Sequence, residues 1–187
     1  FGSTLARLKE RGRKFQVVIP AVASVRPLIE ELMQAWPVQP ILVEGEDDKF
    51  RAFKLAHAAL AASGTVTLEL ALVGTPMVVA YKIDPVMAPA LRLLIKADTA
   101  VLPNLVLGEK AIPEFHQEDC TGPRIANALA PLLVDSPERL KQVSALARIP
   151  ERLRMPRGTP SEMAAEVVLY YAETGRHWPH PDLAARI

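Results

Sequence analysis

Apolar positions recur along the first hundred residues with two alternating periods. Residues 15–20 (FQVVIP) form a short β-branched run of the kind expected for a strand buried on both faces. Val25, Leu28, Ile29, Leu32, Met33 and Trp36 then follow i, i+3, i+4, i+7 spacing, the stripe of an amphipathic helix. Ser24 is placed to cap that helix, and Pro27 falls in its tolerant first turn. The alternation continues with strands over 41–43, 58–62 and 77–81, and helices over 47–57, 65–73 and 86–96. Because a crossover helix returns the chain in the direction it left, repeated β-α-β units predict parallel strands in an open, doubly wound sheet. After Pro113 the periodicity is helical only, over 124–134, 137–149 and 161–174. Residues 176–187, with two prolines and two histidines, read as a loose tail behind a single domain over 1–175.

Upstream, residues 4–12 (TLARLKERG) read as the end of an amphipathic helix closed by a glycine. Phe1, Gly2 and Ser3 resemble neither an initiator methionine nor a signal peptide, so an upstream part of the protein is expected outside this sequence.

Composition narrows the function classes. Half of the 187 residues are hydrophobic and 23% charged, the balance of a globular chain with a real core. Basic and acidic residues number 22 and 21, which provides no field for gathering nucleic acid. A lone cysteine, Cys120, excludes an internal disulfide and a cysteine zinc site. No apolar run approaches the roughly 20 residues of a membrane-spanning helix. The helix over 86–96, apolar with Arg92 and Lys96, suits either a membrane surface or packing on the sheet.

In open α/β sheets ligands collect beyond the carboxyl ends of the strands. Ser63-Gly64-Thr65-Val66-Thr67-Leu68-Glu69 sits there, after the small-residue strand AALAA and at a helix start. Glycine admits close backbone approach, and the free N–H groups of a first helical turn favour an anion such as a diphosphate. Ser63, Thr65 and Thr67 add hydroxyl donors. Glu69 lies one turn below Thr65, where its carboxylate can accept the hydroxyls of a ribose. The bland alternative is a capping Ser63 and a solvated Glu69. Leu102-Pro103-Asn104-Leu105 is a second candidate, or simply a turn in which asparagine bonds its own backbone. Pro113-Glu114-Phe115-His116-Gln117-Glu118, read as a helix start, is the third, with ordinary polar helix residues as its alternative. Glu44, Glu46, Asp47 and Asp48 read as a charged loop opening a helix rather than a metal site. No two histidines have metal-site spacing, and the P-loop, dinucleotide and nucleophile-elbow motifs are absent.

Taken in order, residues 61–69 (AASGTVTLE), 75–82 (TPMVVAYK), 102–105 (LPNL) and 112–118 (IPEFHQE) resemble the C-terminal half of lipid-A-disaccharide synthases, over about residues 4–172. The resemblance implies the Rossmann-like C-terminal domain of an inverting GT-B glycosyltransferase. It implies transfer of a diacylated glucosamine from UDP to a monosaccharide phospholipid acceptor, with no cofactor and no metal. Ser63, Gly64, Thr65 and Thr67 would face the diphosphate and Glu69 the ribose, while Asn104, Glu114 and Gln117 would line the donor cleft. It further implies peripheral contact with the cytoplasmic face of the inner membrane, no nucleic-acid partner, and a final helix that packs on an N-terminal half or on another copy in a homodimer. The sequence departs from the family at His116, where an apolar residue is usual, and over residues 98–101, which lack the usual aromatic and serine. The family's Gly-Ser-Arg phosphate loop and acidic general base are not found in these residues, so the expectation is a donor half that is silent alone. Two other readings stay open: a different UDP-sugar enzyme, such as a peptidoglycan N-acetylglucosaminyltransferase or an epimerase, and a non-catalytic interaction domain.

Overall fold

The computed structural model describes residues 1–83, 99–155 and 157–176. The helix expected over 86–96 and nearly all of the expected tail lie outside them. The chain divides into two compact units, Phe1–Arg152 and Leu153–Ile187.

In the first unit the order is α1 (Gly2–Glu10), β1 (Val18–Pro20), α2 (Arg26–Met33), β2 (Ile41–Val43), α3 (Glu46–Leu55), β3 (Ala59–Ala61), α4 (Val66–Leu72) and β4 (Met77–Tyr81). There follow α5 (Leu102–Leu107), β5 (Glu114–His116), α6 (Gly122–Leu129), α7 (Pro137–Leu146) and α8 (Ile149–Arg152). All strand pairs are parallel, as the alternation predicts, but they form two sheets, β1-β2 and β3-β4-β5.

Strand β4 is the spine, and its side chains alternate between two cores. Met77 and Val79 join Phe53 of α3, Leu70 and Ala71 of α4, Leu107 of α5, Leu146 of α7 and Ile149 of α8 on one face. Val78 and Ala80 join Leu8 of α1 and Ile125, Ala126 and Leu129 of α6 on the other. Helices therefore cover both faces, the Rossmann-like arrangement. On the second face α1 and α6 meet at Gly122, where a Cβ would lie 2.6 Å from Ser3 Oγ and 2.8 Å from the Ser3 carbonyl carbon. No larger residue fits there without parting the helices.

Three readings need correction. Strands do not stop at Pro113: residues 114–116 pair with β4 in the register Val79↔Glu114 and Tyr81↔His116. The expected helix start there is a strand followed by one 3-10 turn, Gln117–Asp119. A strand at this place borrows its order from β4, which local periodicity cannot reveal. Second, Val25 rather than Ser24 is the N-cap of α2, and no side chain caps it. Third, the α2 stripe is not core. Met33 is buried, yet Leu28 and Leu32 stay 56% and 60% exposed. The strands that α2 joins make a sheet only two wide, which offers little apolar surface to cover a helix.

The second unit contains α9 (Pro160–Thr174). It starts on a capping box in which Thr159 and Glu162 satisfy each other's backbone N–H groups, and it ends on Gly175 in the left-handed region. The Glu162 carboxylate is held below its usual range by the Thr159 backbone N–H and then by its hydroxyl.

Candidate functional site

The polar residues singled out in the sequence lie past the carboxyl end of β3 and around both ends of β5, whose first residue is Glu114, with Thr99 and Ala100 as the junction. Ser63, two residues past β3, donates its hydroxyl to Ala100 O at 2.8 Å instead of capping α4. Gly64 has φ +144°, a backbone region that L-residues rarely adopt, and a Cβ there would meet nothing. Thr65 is the exposed N-cap of α4. Thr67 is buried and turns its hydroxyl back to Gly64 O at 2.7 Å, so it braces the turn.

Glu114 is the hub of the second segment. Its Oε1 accepts from Tyr81 OH at 2.8 Å and from Ala100 N at 3.1 Å, and its Oε2 accepts from Thr99 Oγ1 at 2.6 Å. Burial first, and the adjoining Glu114 carboxylate second, push the Tyr81 hydroxyl up to about 12. Tyr81 also stacks on His116, with ring centroids 6.2 Å apart. Gln117, just past β5, has φ +50° and grips the backbone of Ile83, accepting from its N–H at 2.8 Å and donating to its carbonyl at 3.3 Å.

Asn104 is 2% exposed, in the first turn of α5. It does not form a self-bonded turn. Its Oδ1 accepts from Ile112 N at 2.9 Å and its Nδ2 donates to Ile112 O at 3.0 Å, a strand-like pairing that fixes the approach to β5. The same Nδ2 lies 3.4 Å from Thr99 Oγ1, which ties Asn104 to the Glu114 hub.

Ser63, Asn104 and Glu114 thus belong to one network joined through Thr99 and Ala100, with Gln117 beside it at the end of β5. Glu69 is held separately: Lys49 of α3 lies 3.1 Å from its Oε2. Sequence reasoning passed over Thr99 and Lys49, since a threonine and a helix-start lysine carry no local mark of long-range partners. Among the described residues no group of three or more His, Cys, Asp or Glu is placed to hold a metal, and no helix is long and apolar enough to cross a membrane. A cavity of about 450 Å³ lined by Glu109, Lys110, Ala111, Lys141 and Arg148 lies near the amino-terminal edge of β4 and β5, where Gln142 accepts from Met77 N–H and donates to Ala111 O.

Parallel strands, helices on both faces and polar side chains gathered past β3 and around β5 define a Rossmann-like α/β domain. A family model described as lipid-A-disaccharide synthetase matches residues 1–168. The chain belongs to that family. It is 46% identical over 176 residues to a lipid-A-disaccharide synthase of Bradyrhizobium diazoefficiens, covering 94% of this chain and 45% of the relative. It is 46% identical over 169 residues to one from Rhodopseudomonas palustris, covering 90% of this chain and 43% of the relative. With that of Gluconobacter oxydans it shares 40% over 152 residues, covering 81% of this chain and 37% of the relative. The chain therefore spans less than half the length of these relatives.

Proposed function

We propose that this chain is the sugar-nucleotide donor half of a lipid-A-disaccharide synthase. In this reading it binds UDP-diacylglucosamine, and the whole protein transfers the diacylglucosamine to a diacylglucosamine 1-phosphate acceptor at the cytoplasmic face of the inner membrane. The observation that carries the reading is the linked Ser63, Thr99–Ala100 and Glu114 network, which starts past the carboxyl end of β3, in a chain of this family. Ligands of doubly wound sheets settle at the carboxyl ends of the strands.

The residues divide into those that touch and those that hold. The Gly64 and Thr65 backbone and the Thr65 hydroxyl face the diphosphate, and Glu69 takes the ribose hydroxyls. Ser63 and Thr67 brace the phosphate turn through Ala100 O and Gly64 O. Asn104, Glu114 and Gln117 shape the cleft floor by fixing Ile112, Thr99–Ala100 and Ile83. An inverting transfer needs a base on the acceptor hydroxyl, in-line attack at the anomeric carbon and stabilisation of the departing UDP. This half supplies the last and positions the donor. The base and the acceptor surface belong to sequence outside these 187 residues, in keeping with the length of the relatives.

Titration calorimetry of the chain with UDP tests the reading. Saturable 1:1 binding is expected, competed by UDP-N-acetylglucosamine and weakened by Glu69→Ala. A folded chain that takes up no UDP would overturn it, as would turnover of donor and acceptor by these residues alone.

A further inference from the structure

The ion pair between Lys49 and Glu69 differs from the others among the described residues. Its side chains are 18% and 32% exposed, whereas every other pair has at least one partner above 40%. It also joins two helices, α3 and α4, across a gap of twenty residues in sequence. The Lys49 ammonium is anchored from three sides. Glu46 Oε2 lies 2.8 Å away, Glu69 Oε2 lies 3.1 Å away, and the Phe50 ring centroid lies 4.7 Å beneath it. A flexible four-carbon stem is thereby restricted to one arrangement, and the cost of ordering it is shared among several contacts. Both carboxylates favour the charged ammonium, Glu46 foremost, and hold Lys49 above its usual range.

The consequence falls on Glu69. One of its oxygens is occupied by Lys49, and among the described residues the other, Oε1, accepts no hydrogen bond. We propose that Lys49 is a positioning residue, which pins Glu69 Oε2 so that Oε1 faces the cleft and meets the ribose hydroxyls of the nucleotide. This rests on the donor-site reading above and deepens it. A carboxylate free to rotate among rotamers would lose affinity each time it was ordered by ligand, whereas one already held has met that cost.

The experiment compares UDP with 2′,3′-dideoxy-UDP, which keeps the base and diphosphate and lacks the hydroxyls Glu69 would bind. Titration calorimetry is run on the wild-type chain and on Lys49→Met, Lys49→Arg and Glu69→Gln. The wild type is expected to prefer UDP by about tenfold, the scale of a charge-assisted hydrogen-bond pair. Lys49→Met should cut that preference to below about threefold, leaving affinity for the dideoxy nucleotide within about twofold of wild type. Lys49→Arg should restore most of the preference, and Lys49→Met added to Glu69→Gln should change nothing further. Equal weakening of both nucleotides by Lys49→Met would overturn the inference, since Lys49 would then act on the phosphates or on the fold. So would an undiminished preference in Lys49→Met. A wild type that binds both nucleotides equally sinks the ribose role of Glu69 itself, a different failure from that of Lys49.

Discussion

Met77, Val78 and Val79 of β4 are fully buried, whereas the register partners Val18 and Ile41, across β1 and β2, stay 40% and 45% exposed. Both halves of the first unit use the same grammar of short apolar strands and amphipathic helices. They differ in what covers them. On the β3–β5 side helices pack both faces of the sheet, and the polar residues of the proposed site hang from that packed frame. On the β1–β2 side Leu28 and Leu32 of the α2 stripe face outward. The lesson is that an amphipathic pattern states what a helix can bury, while the width of the neighbouring sheet decides what it does bury. A site that must hold polar groups to a fraction of an ångström belongs on the packed side.

The largest effect that sharpens this contrast is expected at Leu70 of α4, 2% exposed and packed with Met77 and Val79 in the core on one face of β4. Leu70→Ala should cost about 3 kcal/mol, the range of buried leucine truncations, read as a lower denaturant midpoint at unchanged slope. A cost near zero would mean that the frame does not carry the load assigned to it. Asn104→Ala comes next. It leaves the Ile112 N–H and carbonyl unpaired beside the buried Ile112 side chain, at about 2 kcal/mol. Asn104→Ala should also loosen the Thr99 hub, so UDP affinity falls together with stability. Unchanged UDP affinity would separate Asn104 from the cleft.

A pH titration probes the same frame more gently. Tyr81 keeps its proton up to about 12 in the folded chain, against 10.0 for the free side chain. The folded state therefore binds a proton that the unfolded state releases first. The stability this contributes is fully present below pH 10 and is lost as pH rises towards 12. Partial solvent access reduces it to about 1–2 kcal/mol. Wild type minus Tyr81→Phe, followed by thermal melts from pH 9 to 12, should show a falling difference over that window. A flat difference would mean that the Tyr81–Glu114 contact does not persist in solution.

What sequence could and could not show follows from the range of the interactions. Strands β2 and β4 were legible to the residue, because a dense β-branched run needs no partner to declare itself. The parallel pairing followed from the order of elements. Strand β5 was hidden, since Glu114-Phe115-His116 has no strand composition of its own and takes its order from β4. Asn104 looked like a turn residue because its true partner, Ile112, is eight residues away. The Thr99 junction and the Lys49–Glu69 pair depend on contacts fifteen and twenty residues apart, beyond any local period. The segments of the proposed site could be named in sequence, and the division between residues that hold and residues that touch could not.

The smallest expected effect lies on the open side. Leu28→Lys and Leu32→Lys replace apolar side chains already more than half exposed, 56% and 60%, on adjacent turns of α2. Lysine is as good a helix former as leucine, and neither leucine has much burial to lose. Each change should therefore stay within about 0.5 kcal/mol, the range of ordinary surface substitutions, and the double variant should cost a few tenths of a kcal/mol more than the sum, because lysines four apart on a helix repel. The comparison breaks if either substitution costs 2 kcal/mol or more in the isolated chain, for the stripe would then be covered in solution and the two halves equally closed. If instead the changes are silent in this chain but costly in the longer protein, the stripe of α2 is a surface that the rest of the polypeptide covers. Measuring both backgrounds turns an exposed helix face into a map of where the remaining chain packs.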